Sequence, residues 1–129
     1  MRRSWAEKWI GTPYSQGHCL DFVVRVLHEE FGVNKTLPQL HEHELLCAQV
    51  FDRRESYARR LQEGEALRDG LVVAMRPGAE VMHVGVLVLD LLEPHVLHNT
   101  AAHGSAVLQP LRMVRRWMKI EGYYDAMGG

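Results

Sequence analysis

The hydrophobic pattern of this chain changes its period once, near Gly64, and this change limits the fold more than any other feature. Before it, apolar residues recur at helical spacing, most clearly over Cys19–Phe31, with Gly32 placed to end the helix. After it, short β-branched runs alternate with turn residues. This order favours an α+β fold with N-terminal helices packed on one face of an antiparallel sheet.

The individual elements follow from the same patterns. We expect helices at 3–10, 19–31 and 42–61, because each combines helical spacing or helix-favouring residues with a stop signal. The charged cluster within 42–61 is interpreted as a solvated helix face. Strands are expected at 71–75, 81–89, 95–99, 106–109 and 119–124, with a helix or turn at 111–117. These segments make a five- to six-stranded sheet that begins with a hairpin.

Size and charge exclude several classes of protein. With 129 residues the chain is expected to be one domain, 1–129. Its net charge of −1 gives no overall field that would favour nucleic acid or an anionic membrane. The longest apolar run, 81–92, is shorter than the roughly 20 residues of a membrane-spanning helix. The N-terminal residues lack the apolar stretch of a signal peptide, so neither membrane insertion nor secretion is expected.

The two cysteines lie in different surroundings. Cys47 lies in an apolar stripe at helical spacing and is interpreted as a buried structural thiol. Cys19 follows Gly17 and His18 and opens the helix at 19–31. A helix N-terminus favours the thiolate over the thiol, so Cys19 is a candidate nucleophile that needs a histidine base.

Two histidines fall on predicted strands. His83 begins one strand and His98 lies in the next, so neighbouring strands would place them about 5 Å apart. A catalytic imidazole needs such a third group to fix its tautomer. From the residues alone, a hydrogen-bonded histidine of the core is a slightly better interpretation of His83 than a catalytic base. His41, His43, His95, His98 and His103 are residues of a type that binds zinc, but no cysteine or carboxylate completes a recognisable ligand spacing, so no metal or cofactor is expected.

Together these motifs resemble the NlpC family of cell-wall cysteine peptidases over nearly the whole chain. The resemblance rests on Ile10-Gly-Thr-Pro-Tyr14, a cysteine that opens a helix, His83-Val-Gly and Val96-Leu-His98-Asn. It is strongest for the short, single-domain members of phage and prophage tail modules. It implies a papain-like core with Cys19 as nucleophile, His83 as general base, His98 as the residue that orients the base, and Tyr14 beside the nucleophile.

The surroundings of Cys19 depart from the usual NlpC pattern. His18 stands where most members carry an acidic residue, and only four residues separate Tyr14 from Cys19. The run Cys-x-Asp-aromatic-Val also resembles the CHAP family of peptidoglycan amidases and endopeptidases. The scissile bond therefore stays open at this point.

The resemblance implies a peptidoglycan hydrolase that cleaves a stem-peptide amide beside γ-D-glutamate. Such a protein would be made in the bacterial host cytoplasm without a signal peptide and carried in the virion tail. There, beside tail-tip proteins, it would aid cell-wall penetration or tail assembly. The alternatives are a catalytically inactive tail or assembly subunit with the same fold, a CHAP-like amidase, or a cytosolic amidase or acyltransferase.

Overall fold

The computed structural model describes residues 4–16, 19–34, 58–78 and 83–127. In chain order its elements are α1 (Cys19–Phe31), β1 (Arg59–Arg60), β2 (Val72–Arg76), β3 (His83–Val88), β4 (His95–Thr100), β5 (Ser105–Pro110), α2 (Leu111–Trp117) and β6 (Lys119–Asp125). Two short 3-10 turns, Glu7–Trp9 and Tyr14–Gln16, precede α1. The predicted α+β class is confirmed, and no helix in these ranges is long and apolar enough to cross a membrane.

Helix α1 has the bounds that its sequence predicts. Leu20, Val23 and Leu27 are fully buried and form its apolar face. The helix ends where Gly32 takes a positive φ of 69°, a conformation that glycine adopts without steric cost. The Gly32 N–H then donates to the His28 carbonyl (3.1 Å), and the Val33 N–H donates to the Leu27 carbonyl (3.1 Å). The bond from Gly32 is the αL capping motif, and the two bonds together satisfy carbonyls of the last turn of the helix.

The strands form one six-stranded sheet in the order β1-β6-β2-β3-β4-β5. All neighbouring strands are antiparallel, and β2 to β5 follow one another as the predicted meander. β6 does not continue the meander beyond β5. It returns across the sheet and pairs with β2 on one side and β1 on the other.

The sheet has a core on each face, because successive side chains of a strand point to opposite sides. On one face α1 packs against β3 and β4. The strand residues of this core include Val72, Ala74, Val84, Val86 and Leu97. On the opposite face, Leu111 and Val114 of α2 pack with Leu71, Val73, Met75, Leu87 and Val96. The prediction that N-terminal helices cover one face holds for α1, while α2 covers the other.

One predicted helix is corrected, and a second is corrected at its C-terminal end only. Within 4–10, the only helical turn is Glu7–Trp9. Trp5 and Trp9 do not form one helical face, because their indole groups hydrogen-bond to acceptors in different parts of the chain. The Trp5 indole donates to Asp69 (2.9 Å), and the Trp9 indole donates to Glu30 (2.9 Å).

The second correction concerns the predicted helix at 42–61. Its residues 42–57, which include Cys47 and the charged cluster at 52–55, lie outside the described ranges. At its end, Arg59 and Arg60 form strand β1 and pair with Asp125 and Tyr124 of β6. Pairing along the sheet edge overrides the local helix preference of these residues.

Candidate active site

The candidate site lies where β3 and β4 diverge. Their shared ladder runs from the pair Val88 and His95 to the pair Val86 and Leu97. Beyond that point β3 stays paired with β2 as far as His83, and β4 stays paired with β5 through Thr100. We call the diverging segments, 83–85 and 98–100, the fork. Both histidines predicted for catalysis lie in it.

Gly85 allows the two strands to approach closely at the start of the fork. A Cβ atom at Gly85 would lie 2.7 Å from Cγ1 of Val96, 2.9 Å from Cβ of His98 and 3.0 Å from the Leu97 carbonyl oxygen. Any larger residue would therefore push β4 away from β3. The glycine of the His-Val-Gly motif thus helps to bring His98 toward His83.

His83 and His98 are hydrogen-bonded, with His83 Nε2 2.8 Å from His98 Nδ1. Their ring centroids are 5.1 Å apart and the rings are inclined at 68°. His98 is 1% exposed, whereas His83 is partly exposed. The prediction that these side chains meet from adjacent strands is confirmed, and their catalytic roles remain predictions.

Gln109 is a third member of this arrangement, and sequence reasoning missed it. Its Oε1 lies 2.7 Å from His98 Nε2. Gln109 stands opposite Val96 in the β4–β5 ladder, while His98 stands opposite Val107. The two residues are therefore diagonal neighbours on one face, within reach of a long side chain. Only the register of β4 against β5 reveals this contact, and no motif in the sequence encodes that register.

The surroundings of His98 favour its neutral form. Burial is the main reason that its pKa falls from 6.5 to about 4, and the charges of His83 and His103 lower it further. The hydrogen bond to Gln109 and the negative charge of a Cys19 thiolate act in the opposite direction. At neutral pH, His98 is therefore an uncharged imidazole with both ring nitrogens hydrogen-bonded.

Cys19 is the first residue of α1, as predicted. Helix α1 packs against β3 and β4, the two strands that form the fork. The negative charge of a Cys19 thiolate raises the pKa of His98, as the smallest of the influences on it. The Cys19 side chain is 3% exposed and belongs to the core beneath α1. The sulfur is therefore covered.

A cleft of about 620 Å³ opens on the fork. Tyr14, His83, His98 and Gln109 contribute to its wall, and Pro77, Val114, Trp117 and Met118 add apolar surface. Tyr14 is held there because its N–H donates to the Gly104 carbonyl (3.0 Å). The structure therefore brings three of the four predicted site residues to one cleft. Cys19 is not among the described residues that line it.

His95 and His103, two other histidines considered as metal ligands, have local partners in the structure. His95 Nδ1 is bonded to the Glu93 carbonyl (2.8 Å), and His103 Nδ1 to the Thr100 hydroxyl (2.8 Å). His41 and His43 lie outside the described ranges. In the part of the chain that the structure describes, no group of three or more histidine, cysteine or acidic side chains is arranged to hold a metal ion.

Nucleophilic acyl transfer requires a thiolate, an imidazole base and a group that holds the imidazole. His83 and His98 supply two hydrogen-bonded imidazoles, and Cys19 is a thiol at a helix N-terminus that is buried under α1, outside the cleft lining. The cleft supplies a place for a carbonyl compound beside the histidines. Compared with known proteins, this chain matches no protein-family model and no curated protein.

Proposed function

We propose that this protein is a cysteine hydrolase that cleaves amide bonds. The observation that carries the proposal is the 2.8 Å hydrogen bond between His83 and His98, which lie on the two strands that α1, the cysteine-bearing helix, packs against. An imidazole held by a second polar group is the usual means of activating a thiol. The neutral state of His98 suits the supporting role.

In the proposed reaction, the Cys19 thiolate attacks the amide carbonyl and forms a tetrahedral oxyanion. The Cys19 N–H, at the start of α1, and the Tyr14 hydroxyl are candidate donors to that oxyanion. His83 gives its proton to the leaving amine, and a thioester with Cys19 remains. His83 then takes a proton from water, which attacks the thioester and releases the carboxylic acid.

The proposed substrate is a peptidoglycan stem peptide, cleaved at the amide beside γ-D-glutamate and a diamino acid. The resemblance to NlpC peptidases supports this choice. On the same ground we propose that the protein is made in the host cytoplasm and carried in a phage tail with tail-tip proteins. Neither nucleic acid nor membrane insertion forms part of the proposal.

The test is digestion of purified peptidoglycan and defined muropeptides, with products identified by mass spectrometry. We expect new fragments with the wild type and none with Cys19→Ala. Fragment masses separate cleavage beside γ-D-glutamate from release of the whole stem peptide, which a CHAP-like amidase would produce. Equal fragments from both proteins, or none from either, would refute the proposal.

The burial of Cys19 favours a second candidate, an inactive structural tail or assembly subunit with the same fold. Alkylation of the thiols against pH distinguishes the two, with Cys19→Ala reporting the contribution of Cys47. A working site gives Cys19 a reaction midpoint well below about 8.5, the unperturbed cysteine pKa. Slow alkylation with an ordinary midpoint would favour the structural subunit.

A further inference from the structure

Side chains from three successive strands form one chain of hydrogen bonds across the fork. His83 Nε2 is bonded to His98 Nδ1 (2.8 Å), and His98 Nε2 is bonded to Gln109 Oε1 (2.7 Å). The proposed mechanism uses the two histidines and leaves Gln109 without a role. Gln109 lies at one end of this series of hydrogen bonds. Its amide oxygen determines which nitrogen donates and which accepts in each bond of the series.

The direction follows from the chemistry of the atoms involved. A side-chain amide oxygen only accepts hydrogen bonds, so His98 Nε2 must carry the hydrogen that it donates to Gln109. A neutral imidazole has one N–H, so His98 Nδ1 carries a lone pair. His83 Nε2 must then donate to it. When the ring of His83 is neutral, its lone pair is left on Nδ1, the nitrogen available to act as base.

This assignment of donors and acceptors holds only while His98 is neutral. A protonated His98 would present N–H groups on both sides and would face the Nε2–H of His83. Three titratable groups act on the pKa of His98: His83 of β3, His103 of the turn after β4, and Cys19 of α1. Burial and the first two lower its pKa, and Cys19 raises it. The net result keeps the ring neutral across the physiological range.

We propose that Gln109 is a positioning residue that fixes the tautomer of His98 and, through it, makes Nδ1 the basic nitrogen of His83. The inference rests on the proposed function for its catalytic meaning. The tautomers themselves can be measured whether or not the protein hydrolyses any substrate.

The direct test is NMR of the wild-type protein labelled with ¹⁵N in its histidines, at pH 7. We expect His98 to carry hydrogen on Nε2 and a lone pair on Nδ1, and the neutral form of His83 to carry hydrogen on Nε2. A hydrogen on His98 Nδ1 would overturn the proposal. This measurement needs no variant and no turnover.

Two substitutions then separate positioning from packing. Gln109→Met keeps the size of the side chain but removes the acceptor, and we expect mixed tautomers at His98 and a kcat lower by about 10- to 100-fold with KM unchanged. Gln109→Glu keeps an acceptor and adds a charge. We expect it to retain the wild-type tautomer and to move the titration midpoint of His98 to higher pH.

Gln62→Met is the matched control, since Gln62 is exposed on the loop after β1. We expect wild-type tautomers and rate from it. If Gln109→Met also keeps the wild-type tautomer and rate, the proposal is wrong. If the wild type hydrolyses nothing while the tautomers are as expected, the proposed function fails and the assignment of Gln109 as the tautomer-setting residue stands.

Discussion

At the scale of single residues, His98 is both a buried residue of the core and a hydrogen-bonded residue of the candidate site. It is 1% exposed, and both of its ring nitrogens are hydrogen-bonded. Buried polar groups are tolerated when they are satisfied in this way. The same burial that makes His98 part of the core keeps it uncharged, which its proposed role requires.

The depressed pKa of His98 makes stability depend on pH. Between pH 6.5 and about 4 the unfolded state binds a proton at this residue and the folded state does not. The free energy of unfolding should therefore fall as pH drops through this window, by on the order of 3 kcal/mol in total. We expect His98→Asn to show a smaller loss between pH 7 and pH 4.5, measured by urea denaturation.

The control for this experiment is His28→Asn, because His28 is an exposed histidine of α1 far along the chain from the fork. It should keep the wild-type pH dependence, whatever its effect on absolute stability. Equal pH dependence in the wild type and His98→Asn would contradict the prediction.

Trp117 illustrates a residue that matters to the cleft and not to the core. It lines the cleft and is 75% exposed, so its removal should change stability by less than about 0.5 kcal/mol. We expect Trp117→Ala to raise KM with little change in kcat, measured with a cleaved muropeptide. Leu92→Ala, at an exposed position outside the cleft lining, should leave both constants unchanged. An unchanged KM in Trp117→Ala would show that substrate does not use this wall.

At the scale of elements, the site depends on two strands that are paired from Val88 and His95 to Val86 and Leu97 and are not paired beyond that point. Gly85 allows their close approach there. With Gly85→Ala, the new Cβ would meet the Leu97 carbonyl at 3.0 Å, and backbone cannot yield as a flexible side chain does. We expect a loss of about 1–3 kcal/mol in the free energy of unfolding and a wider separation of His83 and His98. Urea denaturation measures the first and histidine NMR the second.

Gly78→Ala is a suitable comparison, because a Cβ there would meet nothing within 4 Å. It should be close to neutral in both measurements. A Gly85→Ala protein as stable as Gly78→Ala, with unchanged histidine signals, would show that the strands do not need this close approach.

At the scale of the whole molecule, Ser4 and Trp5 form hydrogen bonds with residues that are more than 60 positions away in the sequence. Asp69 accepts hydrogen bonds from the Trp5 indole (2.9 Å) and the Leu89 N–H (2.8 Å). Asp90 accepts from the Ser4 hydroxyl (2.6 Å) and the Trp5 N–H (3.0 Å). These two carboxylates hold the N-terminal segment against the sheet.

Removing one of them should loosen this attachment. Asp69→Ala leaves two partly buried donors without their acceptor, and we expect the free energy of unfolding to fall by about 1–3 kcal/mol. Asp69→Asn, which retains one acceptor oxygen, should lose less. Glu63→Ala, at an exposed loop position, serves as the control in the same urea titrations. A loss no larger than that of Glu63→Ala would refute the prediction.

Local patterns in the sequence predict many of the helices and strands, because the residues that begin, continue and end each of them lie within the segment itself. The α1 bounds follow from apolar spacing and Gly32, and the meander from β-branched runs between turns. The placement of β6 beside β2 and the contact of Gln109 with His98 depend on strand order and register. Both are decided by contacts between segments distant in sequence, which a local pattern does not record.

The position of β6 has a consequence for how the protein is made. β6 is the last of the described strands along the chain, yet it lies between β1 and β2 in the sheet. Among the described strands β1 pairs only with β6, so during synthesis this pairing must wait until residues 119–125 have left the ribosome. Strand pairings that span so much of the chain form slowly and late. We therefore expect ribosome-bound nascent chains that lack β6 to leave β2 exposed at its outer edge, the stage at which a chaperone would be most needed.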